Sequence, residues 1–140
     1  MVGRQKAPTS TEKQRMALIK EEAWCICCVL NHTPNRPYTT IHHPVEGNKR
    51  VGTTMGLCGW HHQGHIDEGW SKFDMQHRFG ASLVHGSKPF VATWAPEAVL
   101  VQLQDYLIEL WTERPWESYN LPRYVQYEIR KRCNELRGLR

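Results

Sequence analysis

Apolar residues at helical spacing predict two helices in the carboxyl-terminal half of the chain. The first runs from Pro96 to about Thr112, where apolar side chains recur every three or four residues and form a wide stripe. The second runs from Pro122 to about Leu136. Proline suits the start of a helix because the first turn needs no backbone N–H from that residue. Shorter helices are predicted over residues 10–23 and 71–79.

Between the two shorter helices the pattern changes to β-branched residues and turn formers. Thr39 to Ile41 predicts one strand, and Val51 to Leu57 predicts a second. Gly47–Asn48 favours a turn between them. A helix from Cys58 to about Ile66 follows, and a short extended segment is predicted at 88–94. The order strand, loop, strand, helix predicts a ββα unit within an α+β domain.

The composition is that of one folded domain. At 140 residues the chain is long enough for one hydrophobic core. It has no apolar run near the roughly 18 residues that cross a membrane, and its start lacks the apolar core of a signal peptide. We therefore expect a soluble, cytoplasmic protein with no membrane partner. The net charge of +4 leans only mildly towards polyanionic partners.

Cysteines and histidines are arranged as two metal-binding pairs. Cys25 and Cys28 have the C-x2-C spacing, and Cys58 and His61 have the C-x2-H spacing. Together they form the ligand set of a tetrahedral structural zinc site. Cys27 competes with Cys28, but C-x-C is the less usual zinc spacing, so we interpret Cys27 as a small buried or half-exposed thiol. Five cysteines, an odd number, also argue against a disulfide framework.

The histidines exceed what this zinc site needs. His42, His43, His62 and His65 remain once the zinc ligands are assigned. A neutral imidazole is the commonest metal ligand, and it can also accept a proton near neutral pH. On a helix His65 would lie i+4 from His61 and i+3 from His62, so that either pair could converge on one ion. The surplus therefore favours a catalytic centre beside the zinc.

These residues resemble a known family. The order CICC, then IHH, then a glycine-containing loop and LCGWHHQGH, is similar to the HNH (His-Me finger) endonucleases. Within them it is most similar to the phage recombination-enhancement nucleases, which cut DNA in a RecA-dependent manner. The resemblance covers residues from about Trp24 to Gly80. It implies a ββα-metal core with a structural zinc knuckle, surrounded by helices, and it implies DNA and a RecA-type recombinase filament as partners.

The resemblance also implies a role for each histidine. His43 falls on the position of the general base. His42 and His62 fall on positions that bind the catalytic metal, and His65 is the expected third ligand. The implied structural zinc ligands are Cys25, Cys28, Cys58 and His61.

The chain departs from the family pattern at the middle Asn of the HNH triad, which orients the base. Thr53 and Thr54 stand where that Asn would lie, and Asn48 is further back in the loop. A backbone group or a threonine hydroxyl must then orient His43. Because neighbouring side chains on a strand point to opposite faces, the strand must end or bulge at His42 and His43 if both are to reach the site.

The chemistry of phosphodiester hydrolysis agrees with these roles. The reaction needs an activated water, stabilisation of negative charge and help for the leaving oxygen. A histidine with a pKa near 6.5 can act as the base, and one divalent cation supplies the other two. The resemblance implies Mg²⁺ or Mn²⁺, although three imidazoles form a nitrogen-rich site for a cation that prefers oxygen ligands. Zinc can occupy such a site in purified protein.

Positive charge is concentrated at the carboxyl terminus. Residues 123–140 contain six Arg or Lys and two Glu, and both a solvated face and a phosphate-contacting arm remain open interpretations. The candidate nucleic-acid contacts are Lys49, Arg50, Arg130, Lys131 and Arg132. The predicted organisation is a loose basic leader at 1–9, an HNH nuclease domain with its zinc at 10–112, and a basic helical extension at 113–140 packed on the same domain.

Two classes of function fit the sequence. The preferred one is a metal-dependent DNA endonuclease of the HNH type, linked to recombination. The alternative is a non-catalytic zinc module that binds nucleic acid or protein and uses its histidine pairs only structurally. The four surplus histidines favour the nuclease, because a zinc knuckle by itself needs none of them.

Overall fold

The computed structural model describes residues 10–22, 24–31, 39–46, 49–50, 54–117 and 120–138. The helices are α1 (Ser10–Glu21), α2 (Ile26–Leu30), α3 (Gly59–Gln63), α4 (Lys72–Phe79), α5 (Ser87–Thr93), α6 (Glu97–Glu113) and α7 (Arg123–Leu136), with a 3₁₀ turn at Leu83–His85. The strands are β1 (Thr40–His42), β2 (Val45–Glu46), β3 (Lys49–Arg50) and β4 (Met55–Leu57). The leader predicted at 1–9, together with Asn48 and Thr53, lies outside the described residues. Among the described helices, none has the length and apolar character needed to cross a membrane.

The strands form two antiparallel pairs. In the first, β1 pairs with β4, so that Thr40 lies opposite Leu57 and His42 lies opposite Met55. In the second, β2 pairs with β3, with Val45 opposite Arg50. Helix α3 begins directly after β4, and the β2–β3 pair lies within the stretch that was predicted as a loop between the two strands. The first predicted strand is shifted by one residue and ends at His42, so His43 already lies beyond it.

Strand β4 lies against the segment that leads into the first cysteine pair. A Cβ atom on Gly56 would sit 2.1 Å from the carbonyl oxygen of Trp24 and 2.6 Å from Cγ2 of Ile19. Only a residue without a side chain allows the two backbones to approach so closely. The Gly56 N–H donates a hydrogen bond to Oε1 of Gln104 on α6 at 3.0 Å. This contact places the second zinc-binding pair, which follows β4, beside the first.

The prediction of an extended segment at 88–94 is wrong, because Ser87–Thr93 forms helix α5. Pro89 lies in the first turn of α5, where its missing N–H costs no helical hydrogen bond. The Thr93 hydroxyl donates to the Pro89 carbonyl oxygen at 2.8 Å, and Phe90 is fully buried. Burial of the aromatic ring in the core thus outweighs the local preference of the β-branched residues for a strand.

Helix α3 is shorter than predicted. It ends at Gln63, because Gly64 adopts a left-handed conformation with φ of 71° and caps the helix. A Cβ atom at Gly64 would also meet Cγ1 of Val84 at 2.6 Å. His65 therefore lies beyond the helix, and the i, i+3 and i, i+4 relationships expected of it with His62 and His61 do not form.

One core joins the zinc-binding segments to the long helices. Trp24, fully buried, packs edge-on against Trp111 with ring centroids 5.9 Å apart and lies 5.7 Å from Trp116. Helix α7 adds a stripe of three buried side chains to the same core. These are Val125, Ile129 and Cys133. The helices thus pack against β1 and β4, and both cysteine pairs lie in the interior.

Candidate metal centre and catalytic site

The two predicted zinc-binding pairs converge into one buried cluster. The ligand atoms of Cys25, Cys28, Cys58 and His61 all lie within 4.8 Å of one another, and all four side chains are buried. Nδ1 of His61 is 3.3, 3.6 and 3.1 Å from the sulfurs of Cys25, Cys28 and Cys58. The Cys28 and Cys58 sulfurs are 3.9 Å apart. Ligands of a tetrahedral zinc are separated by about 3.5–3.8 Å, given Zn–S and Zn–N bonds of about 2.3 and 2.0 Å, so this donor set fits zinc.

Each pair is placed by the start of a short helix. Cys25 occupies the N-cap of α2 and Cys28 lies in its first turn. In the same way, Cys58 occupies the N-cap of α3 and His61 lies in its first turn. A capping residue and the residue three positions later lie on the same side of the helix start. Both C-x2-C and C-x2-H spacings therefore bring their two donor atoms together without a special loop.

The connection between α4 and α5 orients His61. Its Nε2–H donates to the Phe79 carbonyl oxygen at 2.7 Å, which leaves the Nδ1 lone pair directed at the three sulfurs. The neighbouring residues fasten this connection to the same region. Trp60 Nε1 donates to the Gly80 carbonyl oxygen at 2.9 Å, and the Ser82 hydroxyl donates to the Trp60 carbonyl oxygen at 2.5 Å. A backbone acceptor on the second ring nitrogen is typical of metal-binding histidines.

The electrostatics of the cluster favour a cation. Burial by itself lowers the pKa of His61, but attraction and hydrogen bonds from the thiolates of Cys25 and Cys58 raise it to about 10. Burial also opposes ionisation of Cys25, yet hydrogen bonds from neighbouring thiols set its pKa well below the usual value. Burial raises the pKa of Cys27 far above that of a free thiol. Cys27 lies outside the cluster of ligand atoms, as the sequence predicted.

A second polar group lies where β1 meets α6. Nε2 of His42, at the end of β1, is 2.5 Å from Oε1 of Glu97 in the first turn of α6. The side chains of His42 and Glu97 are only 18% and 29% exposed. An ionised carboxylate can only accept a hydrogen bond, so the proton of His42 lies on Nε2. Nδ1 is then the ring nitrogen of His42 that is left for another partner.

His62 is oriented by a threonine hydroxyl. Nδ1 of His62 is 2.6 Å from Oγ1 of Thr40, and that hydroxyl donates to the Leu57 carbonyl oxygen at 3.5 Å. With its proton directed at Leu57, Oγ1 of Thr40 accepts from Nδ1–H of His62. The lone pair of His62 is then on Nε2. In metal-binding histidines, a hydrogen bond at one ring nitrogen likewise leaves the other nitrogen for the metal.

The two imidazoles lie side by side. The ring centroids of His42 and His62 are 5.2 Å apart and the rings are inclined at 73°. Burial, and secondly the positive charge that His42 can carry, lowers the pKa of His62. His62 is therefore neutral at pH 7, with its lone pair available to a metal ion or a proton. Each of the two rings thus has one nitrogen left for a further partner, and imidazole nitrogens are common ligands of divalent cations.

For the other candidate site residues the structure gives the position in the fold and the burial. His43 is half-buried just after β1, and His65 is exposed beyond α3. Thr54, one candidate for orienting His43, has a buried hydroxyl with no hydrogen-bond partner among the described residues. Within that described part of the chain, the zinc cluster is also the one group of three or more His, Cys, Asp or Glu donors close enough to bind an ion. The roles assigned to His42, His43, His62 and His65 stay predictions.

Glu97 and Thr40 were missed as site residues in the sequence. Glu97 follows Pro96 at the start of a predicted helix, where an acidic residue is normally explained by the helix dipole. Thr40 was interpreted only as a strand former. Nothing in their local patterns distinguishes them, because both meet histidines distant in the sequence: Glu97 is 55 residues from His42, and Thr40 is 22 from His62.

The candidate phosphate-binding residues lie on two different elements, strand β3 and helix α7. Lys49 and Arg50 form strand β3, paired with β2. Arg130 and Lys131 are exposed on α7, whereas Arg132 is half-buried. The guanidinium carbon of Arg132 lies 4.0 Å from the ring centroid of Tyr106. Arg132 thus differs in its surroundings from the two residues before it.

Comparison with known proteins gives one match. A family model described as "recombination enhancement, RecA-dependent nuclease" matches residues 8–109. The matched segment contains the zinc cluster, the two histidine pairs and Glu97. Comparisons with curated proteins and with solved structures find no match.

Proposed function

The chain belongs to the family of recombination-enhancement, RecA-dependent nucleases, and from this premise we propose that it is a metal-dependent DNA endonuclease that hydrolyses phosphodiester bonds by the HNH mechanism. The observation that carries the proposal is the adjacency of His42 and His62, at the end of β1 and on α3. Each has one ring nitrogen occupied by an oxygen partner and the other available. This pair lies on the strand and helix that a ββα-metal core would use.

The structural zinc on Cys25, Cys28, Cys58 and His61 is proposed to fix that core. Its ligands begin α2 and α3, and α3 also carries His62. Because His62 directly follows a zinc ligand, the ion restrains the backbone of a catalytic residue. Thiolates of this kind must stay reduced, and a cytoplasmic location suits this requirement.

We assign the catalytic metal to His42 and His62, with His65 as a further ligand. When bound, a Mg²⁺ or Mn²⁺ ion stabilises negative charge on the phosphate and on the leaving oxygen. Glu97 accepts the Nε2–H of His42 and so keeps Nδ1 free, and Thr40 does the equivalent for His62. The carboxylate thus acts through His42, as an orienting partner on the ring nitrogen that does not face the metal.

His43 is proposed as the general base. It follows His42 immediately after β1 ends, so the chain is released there from the strict alternation of a strand. At neutral pH an imidazole can take a proton from the attacking water. The nuclease domain proposed on this basis spans residues 10–112, with 113–140 as an extension that packs on it.

One assay tests the function directly. The protein is incubated with single-stranded and double-stranded DNA, with Mg²⁺ or Mn²⁺, and with or without a RecA-type filament. We expect metal-dependent cleavage in at least one condition, with the rate for His43→Ala lower by roughly two to four orders of magnitude. If the folded, zinc-loaded protein binds DNA but cuts none in all of these conditions, the zinc-module alternative replaces the nuclease.

A further inference from the structure

Helix α7 has two different flanks on either side of its buried stripe. Val125, Ile129 and Cys133 recur every four residues and face the core. With 3.6 residues per turn, the remaining side chains divide between the two sides of this stripe. One flank carries Glu128, Arg132 and Glu135. The other carries Arg123, Arg130 and Asn134, with Tyr127 and Lys131 at its outer edge.

The first flank is neutralised by its own contacts. The guanidinium of Arg132 packs over the ring of Tyr106, and its Nε lies 3.9 Å from the carboxylate of Glu135. The Tyr106 hydroxyl donates to Glu128 at 3.1 Å. The one positive charge on this side is thus matched by two carboxylates and an aromatic ring, so that the flank has little attraction for an anion.

The second flank is positively charged and open. Arg123, Arg130 and Lys131 are exposed, and in the part of the chain that the structure describes no carboxylate forms an ion pair with any of them. Among these cations the ring of Tyr127 is 63% exposed. The flank therefore combines three exposed cations with one exposed aromatic ring.

A groove runs along this flank. It has a volume of about 590 Å³, and its described lining is Arg123, Gln126, Tyr127, Arg130, Lys131 and Asn134. Arg130 and Asn134 also line a second cavity of about 320 Å³. Arg123 and Lys131 are eight residues apart, or about 12 Å along the helix axis. The groove is therefore long enough for an extended chain rather than a compact anion.

We propose that this basic flank binds a single DNA strand, with its cations on the phosphates and the Tyr127 ring stacked on an unpaired base. Positive grooves that carry aromatic side chains are how proteins bind single strands, because the stacking is tolerant of base identity. In duplex DNA the base faces are already stacked on one another, so the ring would have no base face to cover. This inference rests on DNA being the substrate of the proposed nuclease and adds where the strand is bound.

The proposal changes the set of phosphate contacts predicted from the sequence. Arg130 and Lys131 are kept, Arg132 is removed, and Arg123 and Tyr127 are added. Arg130 and Arg132 become a matched pair, because they are two residues apart on one helix and carry the same charge. Removing either one lowers the net charge equally, but only Arg130 lies on the proposed binding flank.

The experiment measures binding of a fluorescent oligodeoxythymidine by anisotropy, over a range of salt concentrations and with full-length protein. For Arg130→Ala, the slope of the logarithm of affinity against that of salt should fall by about 0.7, which is the value for one phosphate contact with a single strand. For Arg132→Ala the slope should not change. Melting temperatures of both variants establish that they are folded.

The second part of the experiment tests the role of the Tyr127 ring in the same binding assay. Tyr127→Ala should weaken binding of the single strand by roughly 5- to 150-fold, which is the usual effect of losing one stacked base. Tyr127→Phe keeps the ring and should bind like the parent protein. For the same sequence in duplex form, Tyr127→Ala should make no difference.

If Arg130→Ala and Arg132→Ala lower the salt-dependence slope equally, phosphate binding is not specific to the proposed flank and its assignment is overturned. A Tyr127→Ala variant that loses duplex and single-strand binding to the same extent would overturn the choice of a single strand. The nuclease proposal is tested apart from this, because the anisotropy assay contains no added Mg²⁺ or Mn²⁺. If Arg130→Ala and Tyr127→Ala weaken binding but the protein never cuts DNA, the flank is the binding site and the nuclease proposal is refuted. If the protein cuts DNA but these variants bind it like the parent protein, the nuclease proposal holds and the flank proposal is refuted.

Discussion

The carboxylate of Glu97 lies 2.5 Å from Nε2 of His42 and links the first turn of α6 to the end of β1. The contact decides which nitrogen of His42 is free, because the carboxylate accepts the proton-bearing one. Carboxylate–histidine pairs of this kind orient metal ligands and raise their basicity. Glu97 therefore belongs to the proposed catalytic site as a positioning residue, although no sequence motif marks it.

Replacing Glu97 should weaken the catalytic metal without affecting the structural zinc. For Glu97→Ala we expect Mn²⁺ affinity to fall by roughly 10- to 100-fold, the usual effect of losing an orienting partner. Glu97→Gln can still accept the hydrogen bond and should lose less. Mn²⁺ binding is followed by electron paramagnetic resonance, with zinc content measured on the same samples.

Glu113→Ala is the control for Glu97→Ala, because Glu113 is an exposed residue of the same helix and carries the same charge. It should bind Mn²⁺ like the parent protein. If Glu97→Ala and Glu113→Ala have equal Mn²⁺ affinities and cleavage rates, Glu97 has only a structural role at the start of α6.

Thr40 gives a test of the His62 tautomer. Thr40→Val preserves the shape of the side chain but removes the hydroxyl that accepts Nδ1–H of His62. The imidazole is then no longer restricted to the tautomer with its lone pair on Nε2, and Mn²⁺ affinity should fall by about 10-fold. Thr40→Ser keeps a hydroxyl and should retain most of the affinity. Equal Mn²⁺ affinities for Thr40→Val and Thr40→Ser would show that the hydroxyl does not orient His62.

The zinc assignment is tested by two neighbouring cysteines. Structural zinc can contribute about 10 kcal/mol or more to folding, so Cys28→Ser should yield insoluble or poorly folded protein. Cys27→Ala alters the adjacent buried thiol, which lies outside the cluster, and should keep one zinc per chain. Zinc content and melting temperature are measured for both. A folded, zinc-free Cys28→Ser protein with the parent's melting temperature would rule out this site.

Zinc affinity should rise steeply with pH. The pKa of His61 is raised to about 10, and hydrogen bonds with Cys25 and Cys58 raise the pKa of Cys28 well above the usual thiol value. Both groups therefore carry protons at neutral pH, and zinc must displace at least these two to bind. Affinity should then increase by about two decades per pH unit between pH 6.5 and 8. Competition with a chelator measures it, and an affinity independent of pH would contradict the ligand set.

The sequence predicted the zinc cluster correctly because its signal is local. A C-x2-C pair and a C-x2-H pair each place two donors at one helix start, whatever the rest of the fold does. The long helices were predicted for a similar reason, since their apolar spacing repeats over several turns. The segment that forms helix α5 was predicted to be extended, because the local pattern does not show that Phe90 is buried in the core.

The proposed catalytic site could be predicted only in part. The histidine pairs are visible in the sequence, but the oxygen partners of His42 and His62 are not, since each is brought in by the tertiary fold. The helical spacing expected between His65 and the two histidines before it does not form, because Gly64 ends α3 in a left-handed conformation. The difference between Arg130 and Arg132 likewise arises from Tyr106 and Glu135, which pack against only one of them.

The central claim is that His43 is a general base and His42 a metal ligand, and one metal titration of DNA cleavage tests it. His43→Ala should keep the fold, the zinc and metal binding, while its rate falls by roughly two to four orders of magnitude at every metal concentration. His42→Ala should recover part of its activity as Mn²⁺ or Mg²⁺ is raised. Recovery by His43→Ala with none by His42→Ala would exchange the two roles, and cleavage by both variants at the parent's rate would contradict the account altogether.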